Sequence, residues 1–168
     1  IRAAMISVAL GVSFASFGVG EAVAGALEDG SAAYDAGDYA TALTDFKLAA
    51  QAGSALAQRR LGGMYFIGKG VTQDRKEAIK WFRLAAAQGS AEAQFILGNM
   101  YGMGQGVAVD LKRSYMWFQL AAALGDEGAA RALNILENSE DLQTADGFGQ
   151  AEAMAAKCQA SNYKDCGE

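Results

Sequence analysis

The sequence contains no histidine and no proline among its 168 residues. Without imidazole, neither a Ser/His/Asp triad nor a Cys/His pair can be assembled, and zinc sites lose their usual ligand. Any catalyst would have to use carboxylate, lysine or tyrosine groups. The missing proline and the 52% of hydrophobic residues fit one soluble globular domain of mostly helical structure.

Positive charge is also in short supply, with 14 Lys and Arg against 19 Asp and Glu, a net charge of -5. An acidic balance argues against nucleic acid as the main partner. The charge is uneven: residues 25–53 sum to -4, residues 54–125 to +5 and residues 126–168 to -6. The basic centre contains Arg59, Arg60, Lys69, Arg75, Lys76, Lys80, Arg83, Lys112 and Arg113. It either attracts an acidic peptide or anionic polysaccharide or simply balances the acidic ends as a solvated face.

The first 24 residues have the layout of a signal peptide. Arg2 precedes an apolar stretch that contains only Ser and Gly interruptions, and Ala22-Val23-Ala24 supplies the small residues that signal peptidase requires. We expect cleavage between Ala24 and Gly25 and a periplasmic or secreted protein with no membrane span after cleavage. The alternative is an uncleaved anchor, because the run from residue 3 to residue 20 approaches spanning length.

The chain has two cysteines, Cys158 and Cys166, and export would favour a disulfide between them. On one continuous helix they would stand about 12 Å apart along the axis, which is too far for a disulfide. We therefore expect the helix to end between them, near Asn162. Two unpaired thiols are the alternative, and a metal site is not expected because two cysteines fall short of four ligands.

An internal repeat organises most of the chain. Residues 54–89 and 90–125 align without a gap at a period of 36, and 20 of the 36 positions are identical. The pattern predicts a helix, a loop and a second helix, with Asp74 and Asp110 as N-caps and Gly62 and Gly98 where the two helices approach closely. The predicted structural positions are Leu61, Gly62, Tyr65, Gly68, Gly70, Asp74, Trp81 and Gly89, and Leu97, Gly98, Tyr101, Gly104, Gly106, Asp110, Trp117 and Gly125.

Partial copies flank the two full repeats. Residues 25–53 carry the same ending with a shorter loop, and residues 126–138 repeat the opening of the first helix. In residues 139–168, apolar side chains from Phe148 to Cys158 recur at helical spacing. We expect this segment to form a C-terminal capping helix and tail that cover the last repeat.

The segments "AQRRLGGMYFIGKGVTQDRKEAIKWFRLAAAQG" and "AQFILGNMYGMGQGVAVDLKRSYMWFQLAAALG" closely resemble the Sel1-like repeat family, which is related to tetratricopeptide repeats. They depart from the family pattern only at Ser114, where the pattern has alanine. Residues 25–53 look more like an ordinary tetratricopeptide unit. The resemblance implies an all-α solenoid, a right-handed superhelix of antiparallel helix pairs, that binds a protein or peptide and has no catalytic residues and no cofactor.

By similarity to tetratricopeptide units, positions of the first helix offset from the Leu-Gly pair face the groove of the superhelix. The partner-binding positions implied are Arg59, Gly63, Phe66, Phe95, Asn99, Gly102, Arg131 and Ile135. The two copies differ at these positions, as a partner-choosing surface permits. The alternative is that they are ordinary solvent-facing side chains.

Three functions are compatible with the sequence. The first is a non-catalytic interaction scaffold of the bacterial periplasm. The second is an envelope or exopolysaccharide regulatory component, which the sequence does not separate from the first. The third is a cell-wall or β-lactam hydrolase using a carboxylate pair such as Glu137 and Asp141, although acidic groups near a helix end usually face solvent.

Overall fold

The computed structural model describes residues 15–138, residues 147–164 and Cys166, which form eight α-helices and no strand. In chain order they are α1 (Ala15–Asp35), α2 (Tyr39–Gln51), α3 (Ala55–Ile67), α4 (Arg75–Ala86), α5 (Ala91–Met103), α6 (Leu111–Ala123), α7 (Glu127–Glu137) and α8 (Gly147–Ala160). From α1 to α7 each helix packs on the next one, and α8 packs on α6. The chain is therefore the expected all-α solenoid of helix pairs.

Each helix from α2 to α7 begins at a Ser or Asp N-cap. The side chain of the cap accepts a hydrogen bond from the backbone N–H three residues later, which satisfies a donor that has no partner inside the helix. Asp74 and Asp110 are confirmed as caps of α4 and α6. The other caps are Asp38, Ser54, Ser90 and Asp126.

Glycines end the helices where the repeat predicts. Gly68 and Gly104 cap α3 and α5 with φ of 77° and 67°, and Gly89 and Gly125 follow α4 and α6 with φ of 79° and 91°. These left-handed angles strain residues that carry a Cβ atom. Gly62 and Gly98 serve close packing, because an added Cβ would lie 2.9 Å from the Phe82 ring and 2.6 Å from the Phe118 ring.

The core consists of side chains from the repeated positions. Leu61 and Leu97 are fully buried, and Tyr65 and Trp81 of the first copy are half-buried whereas Tyr101 and Trp117 of the second copy are buried. One buried cluster joins α1, α2 and α3 around Phe46, and a second joins α4, α5, α6 and α8. Each repeat is thus stabilised by its neighbours.

The C-terminal helix covers the last full repeat, as expected. Ala155 and Cys158 of α8 lie in the same buried cluster as Trp117 and Leu120 of α6. Cys158 and Cys166 form a disulfide with their Cα atoms 4.6 Å apart. The helix ends at Ala160, and Asn162 follows with φ of 53°, so the chain turns back between the two cysteines as expected.

The predicted boundary between Ala24 and Gly25 lies inside α1, and both Val23 and Ala26 pack on the first buried cluster. Residues 1–14 of the predicted signal peptide and residues 139–146 of the predicted cap lie outside the described residues. Cleavage therefore stays a prediction. In the part of the chain that is described, no helix is long and apolar enough to cross a membrane.

Candidate partner-binding surface

We call α1, α3, α5 and α7 the first helices, and α2, α4 and α6 the second helices. The predicted groove residues occupy α3, α5 and α7 at equivalent positions, and most of them line two hollows between neighbouring first helices. The first hollow has a volume of about 280 Å³ and the second about 300 Å³.

The first hollow is formed by residues of α1, α3, α4 and α5. It is lined by Tyr34, Arg59, Arg60, Gly63, Phe66, Ile67, Phe82 and Ile96. Arg59 forms an ion pair with Glu92 of α5 at 2.6 Å, and the Arg75 guanidinium lies 5.5 Å from the centre of the Phe66 ring. Cationic and aromatic groups thus characterise this hollow.

The second hollow lies between α5, α6 and α7. It is lined by Gly98, Asn99, Gly102, Met103, Leu111, Ser114, Phe118, Ala132, Ile135 and Leu136. Ile135 and Met103 are 74% and 63% exposed, although both are apolar. None of the described lining residues is charged, so they form an apolar surface that is open to solvent.

Two predicted groove residues do not line either hollow. The Phe95 ring packs on the Phe118 ring, with centroids 5.6 Å apart, and lies against the bare backbone of Gly128. Arg131 is exposed, and its guanidinium lies 3.8 Å from the Glu127 carboxylate on the same helix. Phe95 is therefore mainly a packing residue.

The basic centre is largely engaged in local contacts. Lys69 lies about 5 Å from the centres of the Tyr34 and Tyr39 rings, and contacts with Tyr39 and then Tyr34 raise the pKa of Lys69 above its usual value. Lys80 pairs with Glu77, and Arg113 pairs with Asp110. These contacts favour the interpretation of a solvated, balancing face for much of the basic centre.

The carboxylate pair considered for hydrolysis is not described as a pair, because Asp141 lies outside the described residues. Glu137 accepts a hydrogen bond from the Tyr115 hydroxyl at 3.2 Å. Burial, followed by the charge of Glu137, raises the pKa of Tyr115. Among the described residues, no group of three Cys, Asp or Glu side chains could hold a metal ion.

The structure adds residues that the sequence interpretation did not select. Ser114, Phe118, Ala132 and Leu136 complete the second hollow. Ser114 is buried and donates a hydrogen bond to the Gly98 carbonyl at 2.7 Å. Ser114 is the single departure from the repeat pattern, and this departure could have indicated from the sequence that the second repeat packs differently at this position.

Comparisons with known proteins agree with this architecture. The Sel1 repeat profile matches residues 55–90 and 91–126, one residue later than the repeats identified from the sequence. A Sel1 repeat protein from Oxalobacter formigenes is 32% identical, with a TM-score of 0.64, over 87% of this chain and 67% of its own. None of the curated proteins matches the chain.

The chain is also similar to c5321, a protective antigen present in uropathogenic Escherichia coli strains that displays an SLR fold. The identity is 28% and the TM-score 0.75, over 84% of this chain. The matched region spans only 31% of the antigen's length.

Proposed function

Because this chain belongs to the Sel1 repeat family, whose repeats mediate protein–protein interactions, we propose that it is a non-catalytic scaffold that binds a partner protein through its first helices. The observation that carries this proposal is the second hollow, where apolar side chains remain exposed. Ile135, at 74%, has the largest exposed fraction among the large hydrophobic side chains of the described residues. Exposed apolar patches of this kind are typical of interaction sites.

We further propose that the scaffold works in the periplasm of a bacterium. The signal-peptide layout of residues 1–24 supports this location, and so does the Cys158–Cys166 disulfide, because such bonds persist in oxidising compartments.

A contact of Glu137 argues against the hydrolase alternative. Glu137, the described member of the carboxylate pair, accepts a hydrogen bond from the Tyr115 hydroxyl. This contact gives Glu137 a structural role and makes the scaffold a better proposal than the hydrolase.

Affinity purification from the periplasmic fraction tests both statements. The wild-type protein should retain one partner reproducibly, and Ile135→Asp should lose it because a carboxylate would be placed on the apolar rim. Lys80→Ala is the matched control, since the Lys80 side chain is 70% exposed on the second helix α4. Equal recovery of the partner by Ile135→Asp and wild type would refute the surface, and recovery of the protein only in the cytoplasm would refute the location.

A further inference from the structure

Three residues that line the second hollow differ in chemical character from their equivalents in the first repeat. The first repeat has Phe66, Arg75 and Ala78 where the second has Gly102, Leu111 and Ser114. In the first repeat the aromatic ring and the guanidinium lie against each other. In the second repeat both are missing, so the equivalent surface is bare and apolar.

Gly102 and Ser114 act together to keep the second hollow open. A Cβ atom at position 102 would lie 2.9 Å from the Ser114 hydroxyl oxygen, which is closer than van der Waals contact allows. That hydroxyl is held in place by its hydrogen bond to the Gly98 carbonyl. Alanine at position 114 removes this close contact and makes room for a larger side chain at position 102, which is the combination that the first repeat has in Phe66 and Ala78.

Two polar donors of the second hollow already have partners within the protein. The Ser114 hydroxyl is used by Gly98, and the Asn99 amide donates to the Phe95 carbonyl at 3.1 Å. An apolar side chain can therefore enter beside these two donors and gain the free energy of burial without breaking either hydrogen bond.

Charge favours an anionic group at the first hollow. Arg60 is exposed there and has no ion pair with any described residue, whereas Arg59 is already paired with Glu92. Among the residues that the structure describes, no Asp or Glu lines either hollow. The first hollow lies on the other side of α5, and a helix with its side chains is about 10 Å wide. An extended chain covers that distance in about three residues.

We propose that the second hollow binds an aromatic side chain of an extended partner segment, which also places a carboxylate about three residues away at Arg60. The aromatic ring of the partner would occupy in the second repeat the position that Phe66 occupies in the first. This inference rests on the proposed function and specifies the chemistry of the partner.

The test selects phage-displayed random linear peptides on the immobilised protein and titrates a synthetic copy of the enriched peptide by fluorescence anisotropy. We expect enriched sequences to share an aromatic residue and an acidic residue about three positions apart. In G102F/S114A, which copies the lining of the first repeat, Kd should rise about tenfold or more because the ring is excluded. S114A alone provides the reference background, and Lys80→Ala should retain wild-type affinity.

Replacing the aromatic residue of the peptide by alanine tests directly whether that residue occupies the second hollow. It should weaken binding to the wild-type protein but have little further effect on G102F/S114A. Arg60→Glu should weaken the binding of peptides that carry the acidic residue. It should leave unchanged the binding of peptide variants in which that residue is neutral. If G102F/S114A fails to fold by circular dichroism, Ile135→Glu on the rim takes its place, with the same loss expected.

Several outcomes would overturn the inference. Enriched peptides that bind G102F/S114A as tightly as S114A would overturn it while leaving the proposed scaffold function intact. Dimerisation of the free protein that is abolished in G102F/S114A, seen by analytical ultracentrifugation, would assign the hollow to a second copy instead. If no peptide is enriched and no partner is purified, the inference and the proposed function fail together.

Discussion

Gln58 and Gln94 occupy the same position of the two repeats, and both side chains donate to a carbonyl at the end of the preceding second helix. The acceptors are Ala50 at 3.1 Å and Ala86 at 3.2 Å. The Gln58 side-chain oxygen also accepts a hydrogen bond from Gln88 at 2.8 Å, whereas the buried Gln94 side-chain oxygen has no partner among the described residues. The reason is visible in the repeat, because Leu124 stands where the first copy has Gln88.

Leu124→Gln should therefore stabilise the protein. It would supply the missing donor to Gln94 and replace a leucine that is 46% exposed. We expect a gain of about 1 kcal/mol in the free energy of unfolding, measured by urea denaturation. Gln88→Leu is the reciprocal control and should lose a similar amount, because it leaves Gln58 in the state that Gln94 has now. A destabilised Leu124→Gln would contradict this account.

Gly62 and Gly63 are neighbours in α3 but should respond to alanine with opposite signs. At Gly62 the added methyl would lie 2.9 Å from the Phe82 ring, whereas at Gly63 it would meet no described atom within 4 Å apart from the adjacent residues and backbone of α3. Gly63→Ala should stabilise the protein by about 0.5–1 kcal/mol through helix propensity. Gly62→Ala should destabilise it by about 1–3 kcal/mol through overpacking. Thermal unfolding of the two variants checks both signs, and equal shifts would refute the close approach of α3 and α4.

At the scale of the helices, the sequence predicted most where a second copy existed for comparison. The two full repeats predicted helix pairs that the structure shows as α3 with α4 and α5 with α6, and the caps Asp74 and Asp110 are confirmed. The start of the first repeat was harder to predict from the sequence, because the segment that forms α1 has no full copy for comparison. The helix α1 continues through Ala24, the last residue of the predicted signal peptide. For α8 the sequence predicted a helix that covers the last repeat, but not that it packs on α6. Periodicity shows that one face of a helix is apolar, but it does not show which helix that face contacts.

The candidate surface was predictable as a row of positions, but not as a set of contacts. The row included Gly102 and Ile135, which line the second hollow, and their role in partner binding stays a prediction. It also included Phe95, whose ring packs on Phe118 because Gly128 leaves room beside it. Such side-chain packing depends on residues about 23 and 33 positions further along the chain, which local periodicity does not detect.

The disulfide should stabilise the element formed by α8 and its tail. In the chain-entropy model, closing the short loop between Cys158 and Cys166 contributes about 2.5 kcal/mol. We expect reductant to lower the urea midpoint and to accelerate hydrogen exchange in α8 much more than in α3. The stability of C158A/C166A should not respond to reductant. Uniform acceleration along the chain would show instead that α8 and α3 unfold as one unit.

At the scale of the whole molecule, equivalent residues differ according to their place in the stack. Leu48, Leu84 and Leu120 recur at the period of 36 on α2, α4 and α6. Leu48 and Leu84 are 54% and 49% exposed, whereas Leu120 is fully buried in the cluster that includes Ala155 and Cys158 of α8. The C-terminal helix therefore acts as a cap that hides the apolar face of the final full repeat.

This difference predicts three unequal responses to the same substitution. Leu120→Ala should lower the free energy of unfolding by about 2–5 kcal/mol, because it leaves a cavity between α6 and α8. Leu48→Ala should change it by less than about 0.5 kcal/mol, since the site is mainly exposed and alanine favours the helix. Leu84→Ala should fall between them, because Leu84 also lines a small hollow with Tyr163 and Cys166 of the tail. Urea denaturation of the three variants measures this order. A large loss of unfolding free energy in Leu48→Ala would contradict it. That result would mean that the second helices are covered along their whole length, by a second copy of the chain or another protein, instead of only at the C-terminal end.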